Sequence, residues 1–241
     1  IVFHFAAQAG VRYSLINPQK YINTNINGFS KLIESLNKSK IKKIIYASSS
    51  SVYGDTKKFP TSENEILNPK NVYGYSKVVN EKLSNYYFDK FKIPFIGLRF
   101  FTIYGIWGRP DMLILKLLNS ENSNTKFDLN NGGNHYRDFT SIEDVKNISL
   151  RLVRKRITKN IVLNVSSNDP IYIKTLVNKI RFYKKNLKIK KVRKNKADVY
   201  KTHGDNKLLT KYTGYRIKRK FDDDLSRLVK WFDLVKKERY F

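Results

Sequence analysis

The chain has 241 residues, of which 41% are apolar, and it contains no cysteine and only three histidines. These counts exclude disulfide bonds, cysteine-based zinc sites and thiol catalysis, and no metal cluster is expected. The formal net charge of +28 is densest between residues 184 and 196, so nucleic-acid binding is weighed against a lysine-rich solvated surface and against anionic small-molecule ligands. Because lysine is frequent in helices and loops alike, we expect no nucleic-acid partner.

The ends of the chain and its apolar runs bear on location. No apolar run approaches the length of about 18 residues that a membrane-spanning helix needs, and the first residues do not form a signal peptide. We therefore expect a cytoplasmic protein. Because the chain begins with Ile1, inside an apolar strand pattern, we also expect it to be part of a longer protein.

The first part of the chain alternates short apolar runs with longer helical patterns. The predicted strands are IVFHF (1–5), IKKIIYAS (41–48) and PFIGLRFF (94–101). Between them we predict one helix that begins at Pro18, with Asn17 as its N-cap, and a second from Tyr73 to about Phe91. This βαβαβ order is typical of a parallel sheet.

The pattern changes after residue 101. A loop rich in Gly and Pro leads to a short apolar helix near 111–119, which suggests a lobe beyond the carboxyl edge of the sheet. A helix capped by Ser141, a strand at 161–165 and a last helix at 222–237 follow. We expect residues 1–101 to form one domain and 102–241 mainly a smaller lobe, with 142–166 returning to the first domain. A ligand is then expected between the two.

The segment NVYGYSK (71–77) places Tyr73 four residues before Lys77, so both lie on one face of the predicted helix. A nearby ammonium favours the phenolate and could make the tyrosine a general base. By itself the pattern is weak, because the chain has 16 Tyr and 48 Lys plus Arg, and a half-buried Tyr beside a surface Lys is the ordinary alternative. The preceding segment YASSSSVYG (46–54) ends a predicted strand and brings several hydroxyls to the same edge.

Segments along nearly the whole chain resemble the extended short-chain dehydrogenase/reductase family, in particular its NAD-dependent nucleotide-sugar epimerases and dehydratases, and most closely the UDP-glucuronate 4-epimerases. The segments are HFAAQAGVRYS (4–14), NTNINGFSKLIE (23–34), ASSSSVYG (47–54), YGYSK (73–77), LRFFTIYGIWGRPDM (98–112) and RDFTSIEDV (137–145). The resemblance implies an α/β fold with a doubly wound, Rossmann-type parallel sheet, NAD as cofactor and a UDP-sugar as substrate. It also implies a homodimer formed by the helices near 18–38 and 71–91.

The resemblance also implies roles for individual residues. Tyr73 would take a proton from a sugar hydroxyl while hydride leaves the same carbon for NAD, Lys77 would hold the phenolate and bind the cofactor ribose, and Ser49 would hydrogen-bond the reacting oxygen. The 4-keto sugar would then rotate and take the hydride back on its other face. The further cofactor contacts implied are Phe5, Ala6, Ala7, Gln8, Asn25 and Phe101.

Other residues help to narrow the substrate. The resemblance places Ser50 and Ser51 where the 4,6-dehydratases carry an acid pair, which disfavours dehydration. Arg109 in GRPDM could bind a sugar carboxylate with a bidentate fork. The remaining substrate contacts implied are Ser49, Ser50 and Thr102 at the sugar, Arg137 and, from the basic region 190–200, Arg193 at the diphosphate. Asp198 and Asp205 match the family pattern only loosely.

The sequence departs from the family at its start. The glycine-rich turn that binds the pyrophosphate and the acid that binds the adenosine ribose are not found, so we expect the first two βα units to be missing. We expect the chain alone to bind NAD poorly, to be inactive and to carry an uncovered sheet edge. The alternatives are a UDP-glucose/galactose epimerase, a reductase, decarboxylase or dehydratase on the same scaffold, and a non-catalytic nucleotide- or RNA-binding chain.

Overall fold

The structure is a computed structural model that describes residues 1–36, 39–120, 126–195, 198–218 and 220–237. The strands within these ranges are β1 (Val2–His4), β2 (Ile44–Ser49), β3 (Phe95–Phe100), β4 (Thr102–Tyr104), β5 (Phe127–Asn130), β6 (Tyr136–Ser141), β7 (Ile161–Val165), β8 (Pro170–Tyr172) and β9 (Ile189–Val192). The α-helices are α1 (Tyr13–Ile16), α2 (Pro18–Tyr21), α3 (Gly28–Ser35), α4 (Val72–Phe91), α5 (Leu113–Ser120), α6 (Ile142–Arg154), α7 (Ile173–Tyr183), α8 (Lys207–Thr213) and α9 (Phe221–Lys237).

The main sheet has four parallel strands in the order β1-β2-β3-β7. Its central strands β2 and β3 are almost wholly buried, as expected for strands covered on both faces. β1 lies at one edge, where the side chains of Phe3 and Phe5 are 43% and 39% exposed. The parallel sheet predicted from the alternation of strands and helices is therefore confirmed.

Helices cover both faces of this sheet. On one face Phe29 of α3 and Tyr87 of α4 pack with Tyr46 of β2. On the other face Ile148 of α6 packs with Leu98 of β3. The residues that the sequence assigns back to the first domain, 142–166, therefore supply a helix on the sheet and its fourth strand.

The second core lies among the later elements. It is formed by buried side chains of α5, α7, α9 and the short strands: Leu117, Leu118, Phe139, Leu176, Ile180, Leu228 and Phe232. Two small sheets, β4-β6-β8 and β5-β9, frame it. The separation of the two cores follows the domain division expected from the sequence, and that division stays a prediction.

The helix predicted to begin at Pro18 is correct at its start and interrupted soon after. The side chain of Asn17 accepts a hydrogen bond from the amide of Lys20 and Pro18 is the first helical residue, as expected. From Ile22 to Asn27, however, the backbone forms a π-helix. There the carbonyl oxygen of Asn25 accepts a hydrogen bond from Asn80 Nδ2 of α4 at 2.8 Å. A contact from another helix thus satisfies a carbonyl within the widened turn.

Within these described ranges, no helix is long and apolar enough to cross a membrane. The same ranges contain no group of three His, Asp or Glu side chains placed to hold a metal ion.

Candidate active site

A cavity of about 590 Å³ opens at the carboxyl ends of β1, β2 and β3, between the sheet and the second core. Most of the residues predicted for the site line it: Phe5, Ala7, Ser49, Ser50, Tyr73, Lys77, Phe101, Thr102, Arg109 and Arg137. Ala6, Gln8, Asn25 and Arg193 do not line the cavity. The sequence elements that place the catalytic candidates there are the end of β2 and the first turns of α4.

The start of α4 fixes Tyr73 and Lys77. Asn71 caps the helix, because its Oδ1 accepts the amide of Gly74 at 2.9 Å. No Cβ fits at Gly74, where it would lie 2.7 Å from the carbonyl oxygen of Ser51. This close approach seats the helix directly on the segment that follows β2. It therefore brings Tyr73 towards the serines at the strand end.

Lys77 is a buried cation with one hydrogen-bond acceptor among the described residues. Its side chain is 4% exposed, and Nζ donates to the carbonyl oxygen of Ala47 at 2.8 Å. Among the described residues, no carboxylate lies within ion-pair distance of it. Burial therefore lowers the pKa of Lys77 to about 8. An ammonium in this setting has further donors available to a ligand in the cavity.

Tyr73 lies beside both Ser49 and Arg109. Burial raises the pKa of Tyr73 above its ordinary value, while a hydrogen bond with Ser49 and the charge of Arg109 act in the opposite direction. Lys77 Nζ lies 6.0 Å from the centroid of the Tyr73 ring. The arrangement differs from the expectation that Lys77 lowers the pKa of Tyr73, because the ammonium is directed to Ala47 and the lowering contributions come from Ser49 and Arg109.

Asn25 holds the loop after β1 instead of facing the cavity. Its Oδ1 accepts the amide of Gln8 at 2.8 Å, and its Nδ2 donates to the carbonyl of Gln8 at 3.0 Å and to Ser76 Oγ at 2.9 Å. Ser76 Oγ in turn donates to the carbonyl of Tyr73 at 2.8 Å. Asn25 therefore connects the loop of the predicted cofactor contacts to the helix of Tyr73, and it acts on the site by positioning both.

The sequence reasoning missed a buried polar network directly behind the site. Arg99 of β3 donates to both carboxylate oxygens of Glu81, at 2.9 and 2.7 Å, and Ser48 Oγ donates to Glu81 at 2.5 Å. Arg99 also donates to Tyr53 Oη at 2.8 Å. The sequence signal was available, since Glu81 follows Lys77 by four residues and so lies on the same face of α4.

Arg109 lies at the reacting end of the cavity, and one edge of its guanidinium is already occupied. Nε donates to Asp111 Oδ1 at 2.9 Å and Nη2 donates to Asp111 Oδ2 at 2.6 Å. The predicted bidentate fork therefore exists, but in this structure its partner is a carboxylate of the protein. Thr102, the other predicted contact to a sugar carboxylate, lies on the same cavity wall.

The far end of the cavity contains Arg137. Burial lowers the pKa of Arg137 to about 10, and its Nη1 donates to the carbonyl of Tyr136 at 2.7 Å. The nearby carboxylate of Asp198 is engaged elsewhere, by Arg12 Nη2 at 2.9 Å and Asn130 Nδ2 at 2.7 Å. Arg137 has no carboxylate within ion-pair distance in the described part of the chain, so it can receive an anion.

The region 190–200 contributes differently from the prediction. Arg193 is exposed and follows β9, whereas the cavity wall receives Asp198 and Val199 from this region. Asp205 does not line the cavity, and its carboxylate accepts the amide of Lys207 at the start of α8. Residues 196 and 197 of the region lie outside the described residues. A further cation on the wall is Lys70, which pairs with Asp55 at 2.5 Å.

The residues of the cavity fit one half of an NAD molecule. The donors of Lys77 suit ribose hydroxyls, and the small residues Ala7, Ala9 and Gly10 leave room for a flat ring beside Phe5. For the pyrophosphate the sequence contains no G-x-G-x-x-G turn. The residues of the cavity therefore suit the nicotinamide riboside half of NAD.

Comparisons with known proteins agree with this geometry. The chain is 37% identical over 234 residues to an uncharacterized protein of Methanocaldococcus jannaschii, a match that covers 96% of this chain and 72% of that one. It is 30% identical to a probable UDP-glucuronate 4-epimerase of Rhizobium meliloti, over 97% of this chain and 74% of that one. The crystal structure of UDP-glucuronic acid 4-epimerase from Bacillus cereus, in complex with UDP-glucuronic acid and NAD, superposes with a TM-score of 0.91 at 26% identity, over 98% of this chain and 76% of that one.

These matches bear out the Rossmann-type fold, the enzyme class and the cofactor that the sequence resemblance implied. Residues 1–166 match the profile of the NAD dependent epimerase/dehydratase family. The chain, whose cavity brings together a tyrosine, a lysine and a serine at the ends of parallel strands, belongs to the NAD dependent epimerase/dehydratase family.

Proposed function

We propose that this protein is a UDP-sugar 4-epimerase and that its substrate is UDP-glucuronate, which it interconverts with UDP-galacturonate. The observation that carries the proposal is the convergence of Ser49, Tyr73, Lys77 and Arg109 on one cavity wall. The first three supply proton transfer at a sugar hydroxyl. The last supplies a cation within electrostatic reach of Tyr73, where the sugar would react.

Each residue has a definable role at the sugar. When bound, NAD would supply the hydride acceptor, and then the hydride donor, for C4 of the sugar. Tyr73 takes the proton of the C4 hydroxyl and later gives it back, and Ser49 donates a hydrogen bond to the same oxygen. Lys77 binds the ribose of the cofactor and keeps a positive charge in the buried wall. Arg109 binds the C6 carboxylate and so holds the sugar at the reacting end of the cavity.

The opposite end of the cavity suits a diphosphate. Arg137 is poorly hydrated and has no carboxylate partner among the described residues, so an anionic phosphate would gain a charge-assisted hydrogen bond there without displacing a protein group. Lys70 is a second cation on this wall, although it must share its charge with Asp55.

A second candidate substrate is UDP-glucose, and one observation favours it. The fork of Arg109 is satisfied by Asp111, so a sugar with a neutral C6 hydroxymethyl group could bind without leaving an unpaired cation. Both candidates share the same chemistry at C4. They differ only in what meets Arg109.

We also propose that the protein forms a homodimer through α2–α3 and α4. Large apolar side chains lie exposed on or next to these helices: Ile16 at 78%, Tyr75 at 56% and Tyr86 at 56%. Light scattering of Tyr86→Glu should give half the mass of the wild-type particle, and an unchanged mass would argue against this surface. Residues 37 and 38 of the predicted dimer helix lie outside the described residues.

The test of the function is product analysis. The protein is purified at its full natural length and incubated with NAD and either UDP-glucuronate or UDP-glucose, and the sugar nucleotides are separated by chromatography. We expect UDP-galacturonate from the first substrate and none from Tyr73→Phe, which should still bind the sugar nucleotide. Tyr75→Phe, two residues away and exposed, is the matched control and should remain active. UDP-galactose from UDP-glucose, with no product from UDP-glucuronate, would establish the second candidate instead.

A further inference from the structure

The loop between β4 and α5 carries the Arg109–Asp111 pair on a backbone of unusual shape. Gly105 has φ +144°, and Trp107 has φ +56°, which a non-glycine residue rarely adopts. Directly after them, the Nε–Nη2 edge of Arg109 is bound by both oxygens of Asp111, at 2.9 and 2.6 Å. The protein thus provides its own carboxylate for the arginine at the reacting end of the cavity.

We propose that Asp111 is an internal competitor of the substrate: it occupies on Arg109 the place of a sugar carboxylate and leaves when an acidic sugar nucleotide binds. This inference rests on the proposed function, since it assumes that the C6 carboxylate meets Arg109. It adds a residue that sets how strongly the site distinguishes acidic sugars from neutral ones.

The edge that Asp111 occupies is the one next to the cavity. A Cβ added to Gly10, which lines the cavity, would lie 3.7 Å from Arg109 Nη2, and Nη2 belongs to the bound edge. A ligand carboxylate that approaches from the cavity and seeks a bidentate contact therefore meets a donor that Asp111 already uses. The two carboxylates have the same chemistry, so one can replace the other without changing the bonds that Arg109 makes.

The exposure of the pair makes such an exchange feasible. The side chains of Arg109 and Asp111 are 44% and 54% exposed, so that Asp111 can rotate into water, where its charge is solvated. The Arg99–Glu81 pair behind the site is the contrast, since its side chains are 4% and 7% exposed and neither could be released without burying an unpaired charge. Exposed pairs are weak, and the competition is correspondingly modest.

The strength of an exposed ion pair sets how much the affinity for UDP-glucuronate should change when Asp111 is replaced. If Asp111 must be displaced, Asp111→Asn should bind UDP-glucuronate about two- to five-fold more tightly, the range that corresponds to an exposed ion pair. Binding of UDP-glucose should not change, because a neutral sugar leaves the pair in place.

The loop also contains a built-in reporter. The chain has two tryptophans, Trp107 in this loop and Trp231 on α9, whose rings meet edge to face with centroids 5.3 Å apart. Because Asp111 follows Trp107 by four residues in the same loop, its displacement should alter the contact between the two tryptophan rings. Intrinsic tryptophan fluorescence therefore monitors the loop without any need for turnover.

The experiment compares dissociation constants for UDP-glucuronate and UDP-glucose, measured by calorimetry and by tryptophan fluorescence. Four proteins are used besides the wild type: Asp111→Asn, Arg109→Gln, the double variant, and the control Asp222→Asn. The control makes the same chemical change in an exposed pair with Lys179, outside this cavity. We expect tighter binding of UDP-glucuronate by the single variant Asp111→Asn and not by the control Asp222→Asn. In a protein that already carries Arg109→Gln, the further change Asp111→Asn should not alter the dissociation constant.

Equal or weaker binding of UDP-glucuronate by Asp111→Asn, or an equal gain for UDP-glucose, would overturn the inference. A wild-type protein that epimerises UDP-glucuronate, combined with an unchanged Asp111→Asn, would overturn the inference alone and leave the proposed function standing. If neither the wild type nor Asp111→Asn binds UDP-glucuronate while both bind UDP-glucose, the proposed acidic substrate and the inference fail together.

Discussion

Lys77 should make the folded protein less stable than it would be with a neutral side chain at the same position. Its pKa falls from 10.5 to about 8 because burial disfavours the charged ammonium. Each pKa unit corresponds to about 1.4 kcal/mol, so the difference of about 2.5 between 10.5 and about 8 costs about 3 kcal/mol at pH 7, where the side chain is charged in both states. A Lys77→Met variant keeps a long unbranched chain and removes this cost.

The loss of one hydrogen bond offsets part of the stability that Lys77→Met gains. The hydrogen bond from Nζ to the carbonyl of Ala47 disappears in Lys77→Met, and such a bond contributes about 1 kcal/mol. The variant should therefore be more stable by about 2 kcal/mol at pH 7, equivalent to a rise in Tm of about 4–8 °C for a chain of this length. It should also lose turnover, because the cation proposed to bind the cofactor ribose is gone.

The pH dependence has a definite sign. Because the folded-state pKa lies below the unfolded one, the unfolded chain binds more protons between pH 8 and pH 10.5, so the wild type gains stability as the pH rises through that window. The advantage of Lys77→Met should thus fall to about 1 kcal/mol at pH 9. Urea unfolding at pH 7 and pH 9 measures both values.

The matched control for Lys77→Met is Lys82→Met on the same helix, where the lysine is exposed. It removes one positive charge from a chain of net charge +28 and so accounts for the relief of general repulsion. The reasoning is refuted if Lys77→Met is no more stable than Lys82→Met at pH 7, or if its advantage does not decline at pH 9.

Three further variants address other parts of the site. Ser49→Ala removes a hydrogen bond that lowers the pKa of Tyr73, so the alkaline rise of the kcat–pH profile should move to higher pH; a shift to lower pH would contradict this role. Glu81→Gln leaves Arg99 charged in a buried place and should cost about 3–5 kcal/mol in urea unfolding, whereas a loss below 1 kcal/mol would mean that water reaches the pair. Asp138→Asn replaces a buried carboxylate, which accepts bonds from three backbone amides and a hydroxyl, by a group that can also donate, and a loss of about 2 kcal/mol or more is expected by the same measurement.

The main sheet was predictable because its signals are local. The strand predicted at 161–165 coincides with β7, which is apolar at four of its five residues. The helix predicted from Tyr73 to Phe91 differs from α4 by one residue, although the buried face of α4 is largely polar. The short strands of the second lobe were not predicted. Segments of three or four residues such as β4 and β8 carry no periodicity, and their pairing partners are distant in the chain.

The sequence indicated many of the residues that line the cavity, but it did not indicate the hydrogen bonds that these residues make. The motif around Tyr73 and Lys77 identified the cavity wall, but the interruption of the helix at Asn25 depends on Asn80 of another helix, which no local pattern reports. The order of residues also could not reveal that Asp111 binds Arg109, because neighbours two apart in a loop can point either way.

The cations of the cavity differ in what they are paired with, and the difference follows the ligand that each would meet. Lys77 and Arg137 have no carboxylate at ion-pair distance among the described residues, and burial lowers the pKa of both. A permanent carboxylate would cancel the charge that a ribose or a phosphate needs. Among the cavity cations in the described part of the chain, Arg109 has the bidentate carboxylate, whereas Lys70 contacts one oxygen of Asp55. Arg109 is the cation proposed to meet a sugar that can be acidic or neutral. With Asp111 as a displaceable partner, Arg109 is paired with a carboxylate of the sugar when the sugar is acidic and with Asp111 when it is neutral.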